Sequence, residues 1–257
     1  QEIVINYITA CAYGVLSYET TINLSQITYS KWFAGAAILG LLFIVVFNLM
    51  ALTAQRQGLS VVSVAGKMSV IIPVIFGIYV YNESVGTVKI IGILLALIAV
   101  YLTSIKKKSG IILKKGLWLP FLLFIGSGII DTLIKYIETT YVPKNGIPIF
   151  SAAIFGVAGL LGILYLIYKT LKSDLLFDSK SILGGLLLGS VNYYSIYFLL
   201  KALQYEGLES SSIFTMNNVA IVMLSTLLGL MLFKETISKN NWIGIALAIV
   251  SIILVAY

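Results

Sequence analysis

Lys67 is the residue whose position asks for a chemical explanation first. It stands seven residues after Ser60, inside a long apolar stretch, with Ala65, Gly66, Met68 and Ser69 around it. At 1.5 Å of rise per helical residue, that places it about 10 Å into its helix. Two readings are open. The long stem can snorkel to the interface. Alternatively the ammonium faces a cavity, where it attracts a carboxylate or phosphate or pairs with an acid. The pair Asn217 and Asn218 follows Ser210 to Ser212 in a similar way. Paired amides donate and accept, which suits a polar ligand and equally suits hydrogen bonds between helices.

Asp131 and Lys135 are four residues apart and share one helix face, with Glu138 on nearly the same face. Asp131 lies about 20 Å along its helix from Leu117 and is the deepest carboxylate of the chain. It either hides its charge in an ion pair with Lys135 or carries a proton or counter-ion for coupling. Asn192, Tyr193 and Tyr197 sit in the middle of another apolar stretch. Tyr193 and Tyr197 share a face, and a tyrosine combines an apolar body with a hydroxyl tip. The candidate substrate-binding residues are therefore Lys67, Asn217, Asn218, Asn192, Tyr193 and Tyr197, with Asp131 as the candidate coupling group. Asn6, Tyr13, Ser17 and Asn48 are weaker candidates of the same kind.

Several chemistries are excluded by what the chain lacks. It has no histidine, which removes imidazole acid–base catalysis, Ser-His triads and His-ligated metals. One cysteine, Cys11, forms neither a disulfide within the chain nor a zinc cluster. The glycines follow no strand and precede no phosphate-loop lysine, so they read as helix-packing seams. No catalytic set, metal or cofactor is expected, and the chain does not read as an enzyme. Glu83 and Glu235 fall at helix ends near water and read as structural.

The elements that must position these residues follow from composition. Of 257 residues, 60% are hydrophobic and 11% are charged, where a soluble domain carries about 25% charged residues. Apolar runs such as Trp32 to Ala54 and Trp242 to Tyr257 reach the ~20 residues that span a bilayer. They do not alternate as barrel strands do, so they are helices. An all-α integral membrane protein is expected, surrounded by lipid. Nine spans are predicted, roughly 3–22, 33–53, 61–81, 87–105, 117–138, 147–169, 182–202, 210–233 and 240–257. The net charge of +7 reflects lysines in loops. No soluble basic face exists for nucleic acid.

The chain also repeats itself. Gly58-Leu59 corresponds to Gly207-Leu208, Glu83-Ser84 to Glu235-Thr236, and Ile91-Gly92-Ile93 to Ile243-Gly244-Ile245. The predicted halves are a first transmembrane repeat, 1–105, with four helices, and a second, 117–257, with five. Matched from their shared end, the first repeat lacks its first helix. Together with Gln1 where a Met would stand, this predicts a ten-helix parent of two five-helix repeats. An odd number of helices per repeat inverts the second copy in the membrane.

These features resemble the drug/metabolite transporter superfamily, in its EamA-like branch. The resemblance rests on the small-residue turn before each fourth helix, Pro73 within the first copy's fourth helix, Glu83 and Glu235 at the fourth-helix ends, and the Ile-Gly-Ile entry to each fifth helix. The second copy lacks the proline. The resemblance implies a central cavity and alternating access. The resulting expectation is a secondary transporter that exports or exchanges a small polar metabolite of the amino-acid or organic-acid type, with proton coupling, in a bacterial inner membrane. A channel or a non-transporting membrane scaffold is the alternative. Most loop Lys and Arg, led by Lys106 to Lys108, fall on one face, which the positive-inside rule places in the cytoplasm. The resemblance implies the reverse orientation.

Overall fold

The computed structural model describes residues 2–19, 24–57, 59–84, 86–104, 118–143, 145–171, 179–233 and 239–256. These residues form eleven helices and no strand. They are α1 (Glu2–Leu16), α2 (Leu24–Thr28), α3 (Lys31–Gln57), α4 (Leu59–Met68), α5 (Ile71–Val80), α6 (Thr87–Ser104), α7 (Trp118–Tyr141), α8 (Ile147–Thr170), α9 (Ser179–Leu203), α10 (Ser210–Phe233) and α11 (Lys239–Ala256). In hydrocarbon every backbone N–H and C=O needs an internal partner, and a helix supplies it within one segment. Five stretches are long and apolar enough to cross a bilayer: Lys31–Gln57, Val61–Val80, Trp118–Tyr141, Ile147–Tyr168 and Ser181–Leu203. The shorter apolar helices are Glu2–Leu16, Thr87–Leu102, Ser210–Leu224 and Trp242–Val255. Each predicted span has its helical counterpart.

Two predicted spans are modified. The first closes at Leu16 instead of continuing towards 22. Its last hydrogen bonds shorten their reach, from Ser17 N–H to the Tyr13 carbonyl and then from Tyr18 N–H to the Val15 carbonyl. The third is broken into α4 and α5. Pro73 has no N–H to give the Ser69 carbonyl, which takes the Ile72 amide at 2.9 Å instead. The Lys67 carbonyl takes the Val70 amide at 3.4 Å, and ordinary helical bonding resumes from Val74 to Val70. The buried Ser69 hydroxyl donates to the Gly66 carbonyl at 2.6 Å, which covers a further acceptor at the break.

The helices gather into two compact units, 1–45 with 133–204 and 46–132 with 205–257. Each unit draws on both halves of the sequence. α3 and α7 contribute to both.

In the first unit α1 packs against α8 and α9. Small residues let the backbones approach: a Cβ on Gly189 would stand 2.5 Å from the Asn6 carbonyl oxygen. Aromatic rings fill the space, with Phe155 against Tyr7 and Phe43, and Trp32 edge-on to Phe150. In the second unit α6 lies along α11, and Gly92 admits Val255. Ala96, Ala99, Val219 and Ala248 form the buried centre, which joins α10 to both. Outward-facing residues such as Leu164, Val191, Phe198 and Ile253 are more than half exposed. That surface suits lipid.

Candidate functional site

Lys67 ends α4, at the interruption before α5. Its side chain is partly buried. A side chain placed on neighbouring Gly66 would meet nothing within 4 Å, so the broken helix borders open volume. Helix α7 approaches the far side of the break. A Cβ on Gly128 would stand 2.7 Å from the Ile72 Cβ, so only glycine permits this distance. The Thr132 hydroxyl, one turn on, folds back to the Gly128 carbonyl at 2.7 Å. Asp131 is carried on that same stretch of α7, partly buried, and interacts electrostatically with Lys67. Lys135 is engaged elsewhere. Its Nζ donates to the Leu203 carbonyl at 2.8 Å and stands 3.8 Å from the Glu138 carboxylate. Two charges from separate helices, Lys67 beside the break and Asp131 on α7, thus influence each other electrostatically.

Asn217 and Asn218 lie in the same unit, on α10, which packs against α5. Asn218 is buried, and its amide donates to the Phe214 carbonyl of its own helix at 3.1 Å. Asn217 is only partly buried.

The remaining candidates lie in the other unit. The Asn192 side-chain amide donates to the Asn6 side-chain oxygen Oδ1 at 3.2 Å, and Asn6 is fully buried. Tyr193 is also fully buried, stacked between Tyr13 at 6.1 Å and Tyr197 at 5.8 Å. The Lys201 ammonium stands 5.8 Å from the centre of the Tyr197 ring. Along α9 the residues 193, 197 and 201 thus form one polar-tipped aromatic stripe.

Glu83 is a correction to the sequence reading. It is not a surface group, since its side chain is 7% exposed. Asn82 adopts a positive φ of 52° after α5, a conformation that asparagine tolerates, and turns the chain back so that the carboxylate lies across Gly77. There it accepts the Ser210 amide at 2.9 Å, the Ser211 amide at 3.0 Å and the Ser210 hydroxyl. These are free N–H groups at the start of α10. Glu209 returns the contact. It accepts the Ser84 amide at 2.8 Å, the Ser84 hydroxyl at 3.0 Å and the Lys89 ammonium. Partial burial works against the charged form of Glu209. Lys89 and Ser84 outweigh it and hold the carboxyl below the usual glutamate range. Lys89 and Glu209 escaped the sequence reading. Their one signal is an acid directly before the Ser210-Ser211-Ser212 helix start. Glu235 lies outside the described residues.

Comparison with known proteins fixes the class. The sequence profile of the EamA-like transporter family matches residues 114–257. The whole chain is 31% identical to an uncharacterized protein of Haemophilus influenzae, of which it covers 88%. A protein of known crystal structure superposes on 98% of this chain, and 87% of its own, with a TM-score of 0.69 at 14% identity, a likeness of fold alone. The chain therefore belongs to the EamA-like transporter family of the drug/metabolite transporter superfamily, as a multi-pass membrane protein that transports small molecules.

Proposed function

We propose that this transporter exports or exchanges a small polar metabolite of the amino-acid or organic-acid type by alternating access, as a secondary transporter of a bacterial inner membrane. Lys67 and Asn217 hold the solute, with Asn218 behind them. Asp131 carries the coupling proton or counter-ion. Asn192, Tyr193 and Tyr197, in the other unit, are further solute-binding residues in this reading. The observation that carries this reading is the electrostatic interaction of Asp131 with Lys67, which stands beside the α4–α5 break. Charges in the membrane interior are costly and mark solute or ion pathways. Interrupted helices are a recurring way to open backbone groups to a transported solute. The halves 1–105 and 117–257 act as inverted repeats in this reading.

The test is transport by purified protein in liposomes. Labelled amino acids and organic acids should move down a gradient. Lys67→Met should abolish movement while leaving the protein folded, and Asp131→Asn should uncouple it from an imposed pH difference. If Lys67→Met with Asn217→Ala transports as well as the parent, the site is wrong.

A further inference from the structure

A cavity of about 290 Å³ opens at the end of α1 in the first unit. It falls just below the roughly 300–1,000 Å³ that holds drug-sized ligands, so it suits a smaller solute. Its polar lining is Ser17, Glu19, Asn145, Tyr197, Lys201 and Gln204. The opposite charges come from different elements: Glu19 from the segment after α1 and Lys201 from the last turn of α9. Lys201 is steered by the ring of Tyr197, as expected for an ammonium beside an aromatic face.

Gln204 is oriented from behind. Its amide nitrogen donates to Glu138 at 2.8 Å. Glu138 is buried, and Lys135, itself fastened to the Leu203 carbonyl, stands 3.8 Å from it. With its nitrogen used, Gln204 has its carbonyl oxygen left to accept a hydrogen bond. The cavity therefore offers a fixed amide oxygen and a carboxylate for a cation, and an ammonium for an anion.

We infer that this cavity is a second binding site, which takes a small zwitterion bearing one carboxylate and one ammonium group. Lys201 receives the carboxylate. Glu19 and the Gln204 carbonyl oxygen receive the ammonium. Tyr197 supplies the apolar floor. The inference shares with the proposed function the view that the solute is small and polar and one residue, Tyr197, while its site contains none of Lys67, Asp131 and Asn217.

The experiment is calorimetric binding to the full chain in detergent, with L-glutamine as the zwitterionic probe. Its analogues 4-carbamoylbutanoate, lacking the ammonium, and 4-aminobutanamide, lacking the carboxylate, are the controls. L-Glutamine should bind about tenfold more tightly than either, the value of one charged hydrogen bond. Lys201→Met should remove its advantage over 4-aminobutanamide, and Glu19→Gln its advantage over 4-carbamoylbutanoate. Lys201→Arg should retain binding. Both positions are exposed, and unchanged melting temperatures would show that the variants fold. The inference is overturned if both variants bind L-glutamine like the parent, if only one of them loses it, or if a singly charged analogue binds as tightly. Binding that follows this pattern in a protein that moves nothing in liposomes would sink the proposed function and leave this site standing.

Discussion

The Glu83 carboxylate accepts the backbone amides of both Ser210 and Ser211, so a residue of the α5–α6 turn caps a helix that begins more than a hundred residues later. Ordinarily the cap comes from the residue just before the helix. Here that residue, Glu209, faces Ser84 and Lys89 instead. Replacing Glu83 by Ala would leave buried donors without an acceptor. The expected loss is on the order of 3 kcal/mol, read as a lower melting temperature and faster hydrogen exchange at the start of α10. Glu83→Gln should be milder, since one carbonyl oxygen remains. Gly77→Ala should reproduce part of the loss, because a Cβ there would stand 2.9 Å from the Glu83 carboxyl carbon.

Acid should loosen the same corner. The folded state holds Glu209 below its ordinary value, which is about 4.3 for a free glutamate. The stabilisation is therefore complete above that ordinary value. It is lost as pH falls through the lower folded value. Melting temperature measured from about pH 6 to about pH 3 should drop more steeply for the parent than for Glu209→Gln. Equal slopes would show that Lys89 and Ser84 do not favour the charged form.

Lys67 and Asp131 should behave as a pair in stability and as individuals in transport. Removing one partner strands the other charge, at a cost of about 1–3 kcal/mol for a partly buried site. The double variant Lys67→Met, Asp131→Asn should recover much of that loss while transport stays absent. Additive losses in melting temperature would mean that the two groups do not interact.

The break at Ser69 should be a source of instability that transport needs. Pro73→Ala restores an N–H for the Ser69 carbonyl and removes a helix breaker worth about 3 kcal/mol in a regular helix. Melting temperature should rise and the liposome flux should fall. A variant that is both more stable and equally fast would separate the break from function.

Much of this was legible in the chain. Apolar length alone gives the helices, because hydrocarbon leaves the backbone no other local solution. The depth of Lys67 and Asp131 marked both as exceptional. Their electrostatic interaction was hidden, because it joins two helices, and a glycine such as Gly128, which admits Ile72, does not say which helix will use it. Lys135 and Glu138 looked like partners of Asp131 by spacing. Their actual engagement with Leu203 and Gln204 rests on contacts far apart in sequence, which periodicity does not encode. Glu83 was misjudged for a related reason. A carboxylate at a helix end is ordinarily solvated, and only the return of α10 buries this one.

That burial sets an order of assembly. Glu83 and Lys89 leave the ribosome long before Ser210 and Glu209 exist, and α1 long before α8 and α9, against which it packs. Helix α6 likewise waits for α11. A nascent chain that stops after α6 therefore presents a Glu83 carboxylate without the amides it caps and a Gly92 seam without Val255. Synthesis of the second half closes them, so the first half is a template that becomes a folded object only when its complement arrives.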